Sequence, residues 1–162
     1  MLNLSINLIR NYSFEEGLTG WQTGGDVDAI TLGSAFERNT VAQMAGIVAL
    51  EDGVISQLVR VPPGATHFHV VYAVRPTLVN VGNLIVQVEF RGSANLDPPL
   101  PLRRVDTIDV INDGALVNLD WQTRYAVTGE IPPLTEWARL RFVTTTALLG
   151  GIQIDAVFMT TD

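Results

Sequence analysis

The chain has no cysteine and no lysine, only two histidines and five serines, and 7% aromatic residues. Without cysteine there is no disulfide framework, no thiol nucleophile and no thiolate metal site. Without lysine, Schiff-base chemistry and P-loop phosphate binding are excluded. All ten basic residues are arginine and stand against 17 acidic ones, so the net charge of -7 argues against nucleic acid as a partner. No apolar run approaches the ~20 residues that cross a bilayer, which excludes insertion by a membrane-spanning helix. The N-terminus, Met1 to Arg10, lacks the basic start and unbroken apolar stretch of a secretory signal.

What is present favours strands. The 162 residues and 17.6 kDa predict one domain, residues 1–162, with a sizeable core. A hydrophobic content of 47%, a charged content of 17% and a mean hydropathy of +0.25 exclude a disordered tail. Val, Ile and Thr number 19, 11 and 15, and β-branched side chains suit a pleated sheet.

Alternation of apolar and polar residues marks the individual strands. Leu2, Leu4, Ile6 and Leu8 predict a half-buried opening strand. Val54 to Val61 predicts a strand stopped by Pro62-Pro63-Gly64. His67 to Arg75 places Phe68, Val70, Tyr72 and Val74 on one face. Leu84, Val86, Val88 and Phe90 alternate with Ile85, Gln87, Glu89 and Arg91, the clearest strand with one wet side. Asp97 to Pro101 is a loop. Asn112-Asp113-Gly114 predicts a tight turn between strands at Val105–Ile111 and Ala115–Leu119. Trp121 to Val127 and Trp137 to Thr145 follow, the latter with Ala138, Leu140 and Phe142 against Arg139 and Arg141. After Gly150-Gly151, Ile152, Ile154, Ala156 and Phe158 share a face, leaving Val157 and Met159 on the wet side. Arg38 to Leu50 suits a short helix or a strand. The pattern predicts an all-β fold: a two-sheet antiparallel β-sandwich, or jelly roll, of roughly eight to ten strands. Its expected core is Phe14, Trp21, Leu58, Phe68, Val70, Tyr72, Val86, Val88, Leu140, Phe142, Ile152 and Ile154.

Three segments carry a family pattern. The first is Asn7-Leu8-Ile9-Arg10-Asn11-Tyr12-Ser13-Phe14-Glu15-Glu16-Gly17, continuing to Trp21. The second is Ile55-Ser56-Gln57-Leu58-Val59-Arg60-Val61-Pro62-Pro63-Gly64. The third runs from Trp121 to Phe158, ending Ile152-Gln153-Ile154-Asp155-Ala156-Val157. Together they resemble the jelly-roll carbohydrate-binding modules of the family 4, 9 and 22 type. Within that superfamily they are similar to the domain placed ahead of collagen-like repeats in bacterial spore-surface proteins. The resemblance implies the jelly-roll fold, a cell or spore surface location, and either assembly or glycan binding. It also implies a structural calcium with Glu15 and Asp155 among its ligands. Ala156 replaces the usual second Asp of that closing motif.

Trp21 and Trp121 read as core or rim residues. Trp137 differs, because Arg139 and Arg141 share its face at strand spacing. It suits stacking on a sugar, burial against another subunit, or packing over its own sheet edge. His67 and His69 sit two apart but lack the further ligands of a His-based metal site. Asp26 and Asp28 form a weaker loop candidate for calcium. Glycosidase chemistry needs two opposed carboxylates ~5–10 Å apart, whereas Glu15-Glu16 and Glu51-Asp52 are adjacent pairs. No nucleophile elbow or dinucleotide fingerprint occurs, so no catalysis is expected. The first expectation for function is a non-catalytic structural module that self-associates or pairs with a partner surface protein. Wet-face Ile85, Val157 and Met159 are its expected subunit contacts. The alternative is a glycan-binding module for a polysaccharide, with Trp137, Arg139 and Arg141 as contacts.

Overall fold

The computed structural model describes residues 6–44, 52–77, 83–112, 115–116, 118–145 and 151–162. Ten strands form: β1 Gln22–Gly24, β2 Val27–Thr31, β3 Thr40–Met44, β4 Gly53–Arg60, β5 Phe68–Pro76, β6 Asn83–Arg91, β7 Leu102–Ile111, β8 Gln122–Val127, β9 Trp137–Thr145 and β10 Ile152–Thr161. The first sheet has the order β1-β4-β9-β6-β7 and the second β2-β3-β10-β5-β8. All recorded pairings are antiparallel. No helix occurs among the described residues. This is the predicted two-sheet sandwich.

The core lies between the inner faces. Phe68, Val70, Tyr72 and Val74 of the second sheet meet Leu84, Val86, Val88, Phe90, Leu140 and Phe142 of the first. Tyr72 crosses Phe142 edge-on at 5.1 Å, and Phe68 stacks on Phe90 at 6.2 Å. Burial of these side chains stabilises the fold by about 1.5–3 kcal/mol each. At the margin of the core, the hydroxyl of Tyr72 donates to Asp109 at 2.8 Å, and Arg124 donates two bonds to the same carboxylate at 2.6 and 2.9 Å. Burial pushes the Asp109 carboxyl up, but these bonds outweigh it and hold the group below its ordinary range.

Hydrogen bonds and a buried ring stack tie the opening motif into the fold. Asn7 accepts from Met159 N and donates to Val157 O, tying the N-terminal segment to β10. Asn11 donates to the Gly17 and Thr19 carbonyls and accepts from Glu16 N, closing the loop ahead of β1. Phe14 is fully buried and stacks on Trp21 at 5.2 Å, while the Trp21 indole donates to Asn11 O. Gly25 turns the chain from the first sheet to the second at φ 68°. A Cβ there would stand 1.6 Å from Asp52 O, so only glycine fits.

Several expectations change. Leu58 is half-buried on the outer face and does not belong to the core, because the register of β4 turns Ile55, Gln57 and Val59 inward. Gln57 is buried despite its polarity: its amide accepts from Arg10 N and donates to Arg10 O, pairing both main-chain groups of that residue. Val157 and Met159 are fully buried, not wet. A bulge between Asp155 and Phe158, with Ala156 at φ 49°, shifts the parity of β10 and turns Phe158 outward instead. Of the expected opening strand, residues 2–5 lie outside the described residues. Residues 6–9 form no strand, although Leu8 N donates to Met159 O. Ala115, Leu116, Asn118 and Leu119 are not in a strand either. Arg38 to Leu50 resolves as strand β3 over Thr40–Met44, and residues 45–50 lie outside the described set, as do Glu51, Asp113, Gly114, Val117 and Gly150.

Candidate functional site

Antiparallel register defines the outer face of the first sheet row by row. Residues directly opposite one another point the same way. Arg60, Trp137 and Arg91 form one row across β4, β9 and β6. Leu58, Arg139 and Glu89 form the next, and Val105 of β7 continues it. Gln22, Ser56, Arg141, Gln87 and Thr107 form the third, from β1 to β7. Trp137, Arg139 and Arg141 thus share this face as expected. They span about 13 Å along the central strand at the usual strand rise. Trp137 is half-buried rather than freely exposed, and it stands in mid-sheet, not over an edge.

Two depressions open on this side of the molecule. One, of about 590 Å³, is lined by Leu8, Arg10, Leu58, Arg60 and Trp137 among others. The other, of about 290 Å³, is lined by Gln22, Gly24, Ser56, Glu89, Arg139 and Arg141 among others.

Glu89 is the hub of the face. Arg91 donates to its Oε2 at 2.6 and 2.9 Å, and Arg141 donates to its Oε1 at 2.7 Å. A nitrogen of Arg139 lies 3.7 Å from Oε2. Burial pushes the Glu89 carboxyl up, but Arg91, Arg141 and Arg139 together hold it below its ordinary value. Three guanidiniums therefore face one carboxylate. The Arg139 Nε is buried and has no hydrogen-bond partner.

Glu89, Arg91, Arg60 and Leu58 were not singled out from sequence. The parity of Glu89 and Arg91 was legible, since both lie on the wet side of an alternating strand, whereas Leu58 was expected in the core. What joins them to Trp137 is the pairing of β9 with β6 and β4, which no single strand encodes.

The other predicted residues fall elsewhere. Trp121 is a rim residue of the second sheet, with the Arg75 guanidinium 4.8 Å above its ring, Phe36 edge-on at 6.0 Å and Ser34 O accepting from its indole. His67 bonds Asp162, whereas His69 bonds the hydroxyl of Tyr125 and stacks on its ring, so the two imidazoles serve different partners. Asp28 is on strand β2, not in a loop.

Glu15 and Asp155 reach the same segment, the loop before β3. Glu15 Oε1 accepts from Asn39 N and Thr40 N, which holds its carboxyl below the ordinary range. Asp155 accepts from Glu37 N and Ala156 N. Burial pushes Asp155 up to about 6, and the nearby negative charges of Glu37 and Glu15 add to the rise against the two backbone bonds. Among the described residues, no three acidic or histidine side chains gather as a metal cluster. The oxygens of Glu15 and Asp155 are directed at amide N–H groups, an arrangement that fits loop anchoring better than a calcium cage.

No family model and no curated protein matches the chain. Solved structures do share its fold. The carbohydrate-binding module TmCBM61, in complex with β-1,4-galactotriose, superposes with a TM-score of 0.71 at 14% identity over 98% of this chain and 100% of its own. The CBM22-1 xylan-binding domain of Paenibacillus barcinonensis Xyn10C gives 0.66 at 18% identity, over 97% and 95%. The enzymatically active domain of bacteriophage CBA120 tailspike protein 4 gives 0.69 at 16% identity over 97% of this chain. There the chain spans only 22% of the tailspike chain. A cyclase from Fischerella sp. TAU also has this fold, so architecture alone does not separate binding from catalysis.

Proposed function

We propose that the chain is a non-catalytic glycan-binding module whose contact surface is the outer face of the first sheet. The observation that carries this reading is the row structure there: a half-buried Trp137 in mid-sheet, flanked by Arg60, Arg91, Arg139 and Arg141, beside two open depressions. An indole offers a flat apolar platform, and guanidiniums offer directed donors for sugar oxygens. The fold shared with a galactotriose-bound module and a xylan-binding domain supports the same choice. This reverses the sequence-based order, in which assembly came first. Two of the three side chains invoked for subunit contact, Val157 and Met159, are in the core.

Self-association is a second reading. Its support is exposed apolar surface at the second sheet, where Tyr125 is 63% exposed on the same strand as Val127, and an exposed Phe36 packs on Trp121 just before that strand. Light scattering behind a sizing column tests it: a defined oligomer lost in Tyr125→Ser supports it, and a 17.6 kDa monomer removes it.

The glycan reading is tested by affinity electrophoresis in gels cast with β-1,4-galactan, xylan or polygalacturonate. Wild type is expected to be retarded by at least one. Trp137→Ala is expected to lose that retardation with an unchanged folded circular-dichroism spectrum. No retardation in any gel would remove the reading. A structural calcium at Glu15 and Asp155 has its own test. A chelator that lowers the thermal midpoint by several degrees, with loss of that effect in Asp155→Asn, supports it. An unchanged midpoint excludes it.

A further inference from the structure

Resting on that reading, we infer that the glycan is anionic, with carboxylate or sulfate groups on its sugars. The chain as a whole carries a net charge of -7, yet this face is positive. Four of the ten arginines, Arg60, Arg91, Arg139 and Arg141, occupy three adjacent rows, and Arg10 lines the same depression as Arg60 and Trp137. The carboxylate within those rows is Glu89; Glu136 stands at the rim with Arg60.

Glu89 neutralises one guanidinium of three and orients the others. Arg91 is held by two bonds and Arg141 by one, so their remaining N–H groups have a set direction. Arg139 lies at 3.7 Å from Glu89 with its Nε unpartnered and buried. The Arg139 guanidinium is thus only partly compensated by Glu89, and its side chain is 24% exposed, which leaves it charge to offer an incoming oxyanion. Arg60 is exposed and forms no ion pair among the described residues, leaving its charge available beside Trp137. Neutral sugars need donors and acceptors in mixture. A face this rich in arginine and without lysine matches the planar, two-pronged geometry of carboxylate or sulfate.

The test compares binding of the whole chain to polygalacturonate, dextran sulfate, neutral β-1,4-galactan and, as a non-sugar polyanion, polyglutamate. Titration calorimetry is run at low and at moderate salt. Polygalacturonate or dextran sulfate is expected to bind at least ~10-fold more tightly than galactan, with affinity falling as salt rises. Preference between the two tells carboxylate from sulfate. Arg60→Gln, which disturbs no ion pair, is expected to weaken binding several-fold and flatten the salt dependence. Arg139→Gln is expected to weaken it ~10-fold or more, with its thermal midpoint measured alongside. Tighter binding of galactan than of either acidic polysaccharide overturns the inference while leaving the glycan reading intact. Equal binding of polyglutamate overturns it as sugar recognition. Binding of no polysaccharide overturns both.

Discussion

The two outer faces of the sandwich have been put to different uses. On the second sheet, the loop before β3 lies over the strands, so that Val41 and Asp155 are fully buried although they point outward. Tyr12, Glu15, Glu37 and Asp155 hold that loop through side-chain and backbone bonds. On the first sheet, the corresponding face stays open over β4, β9 and β6, and its polar groups are guanidiniums gathered on one carboxylate. Phe14, Trp21 and Asp155, which carry part of the family resemblance, serve the core and the closed face. Those proposed for recognition occupy the open face, although Ser56, Leu58 and Arg60 lie in the second resembling segment and Trp137, Arg139 and Arg141 within the third. The segments supply strands to both faces, so their pattern identifies a fold and says little about a ligand.

Several substitutions separate the faces. The largest effect is expected at the joint between the sheets. Gly25→Ala sets a methyl group against Asp52 O at a positive φ and is expected to destabilise by more than about 3 kcal/mol in chemical unfolding. A variant as stable as wild type would contradict the close approach. Phe14→Ala empties the stack on Trp21 and is expected to cost about 3–5 kcal/mol, while glycan affinity per folded molecule is unchanged. Loss of affinity in a fully folded sample would couple the core motif to recognition and break the division. Trp137→Ala is expected to do the reverse: a loss of ~10-fold or more in binding with a smaller change in stability.

The smallest effect concerns acid. The Glu89 carboxyl is held below its ordinary value in the folded protein, so its ion pairs contribute stability that is fully present above that ordinary value. The contribution is lost as pH falls through the folded value. Thermal midpoints of wild type are therefore expected to fall below about pH 4.5, with Asp109 acting in the same direction at the margin of the core. Glu89→Gln is expected to start lower at neutral pH and to lose less on acidification. A steeper acid loss in that variant would contradict the hub role.

Period-two alternation was sufficient to place most strands and nearly all of the core. Phe68, Val70, Tyr72, Val86, Val88, Leu140 and Phe142 are buried as expected because each strand carries its own parity. The same parity set Trp137, Arg139 and Arg141 on one face. It failed where parity is interrupted or where polarity misleads. The bulge at Ala156 exchanges Phe158 for Val157 and Met159, and no residue type in that segment announces a left-handed alanine. Gln57 is buried because the main-chain N–H and C=O of the distant Arg10 meet its amide, which displaces Leu58 to the outside. The Glu89 hub was illegible for a related reason: it depends on the register between β6 and β9, which have β7 and β8 between them in sequence, and only the folded sheet sets that register.

The most direct test of the account maps the ligand contact on the whole protein. Isotope-labelled chain is titrated with soluble oligogalacturonide, or with β-1,4-galactan oligosaccharide, and amide and side-chain shifts are followed by NMR. The account predicts shifts centred on Trp137, Arg139, Arg141, Arg91, Arg60, Leu58 and Ser56, with the Trp137 indole the largest. Shifts concentrated instead at Tyr125, Trp121 and Phe36 would assign recognition to the second sheet and contradict it.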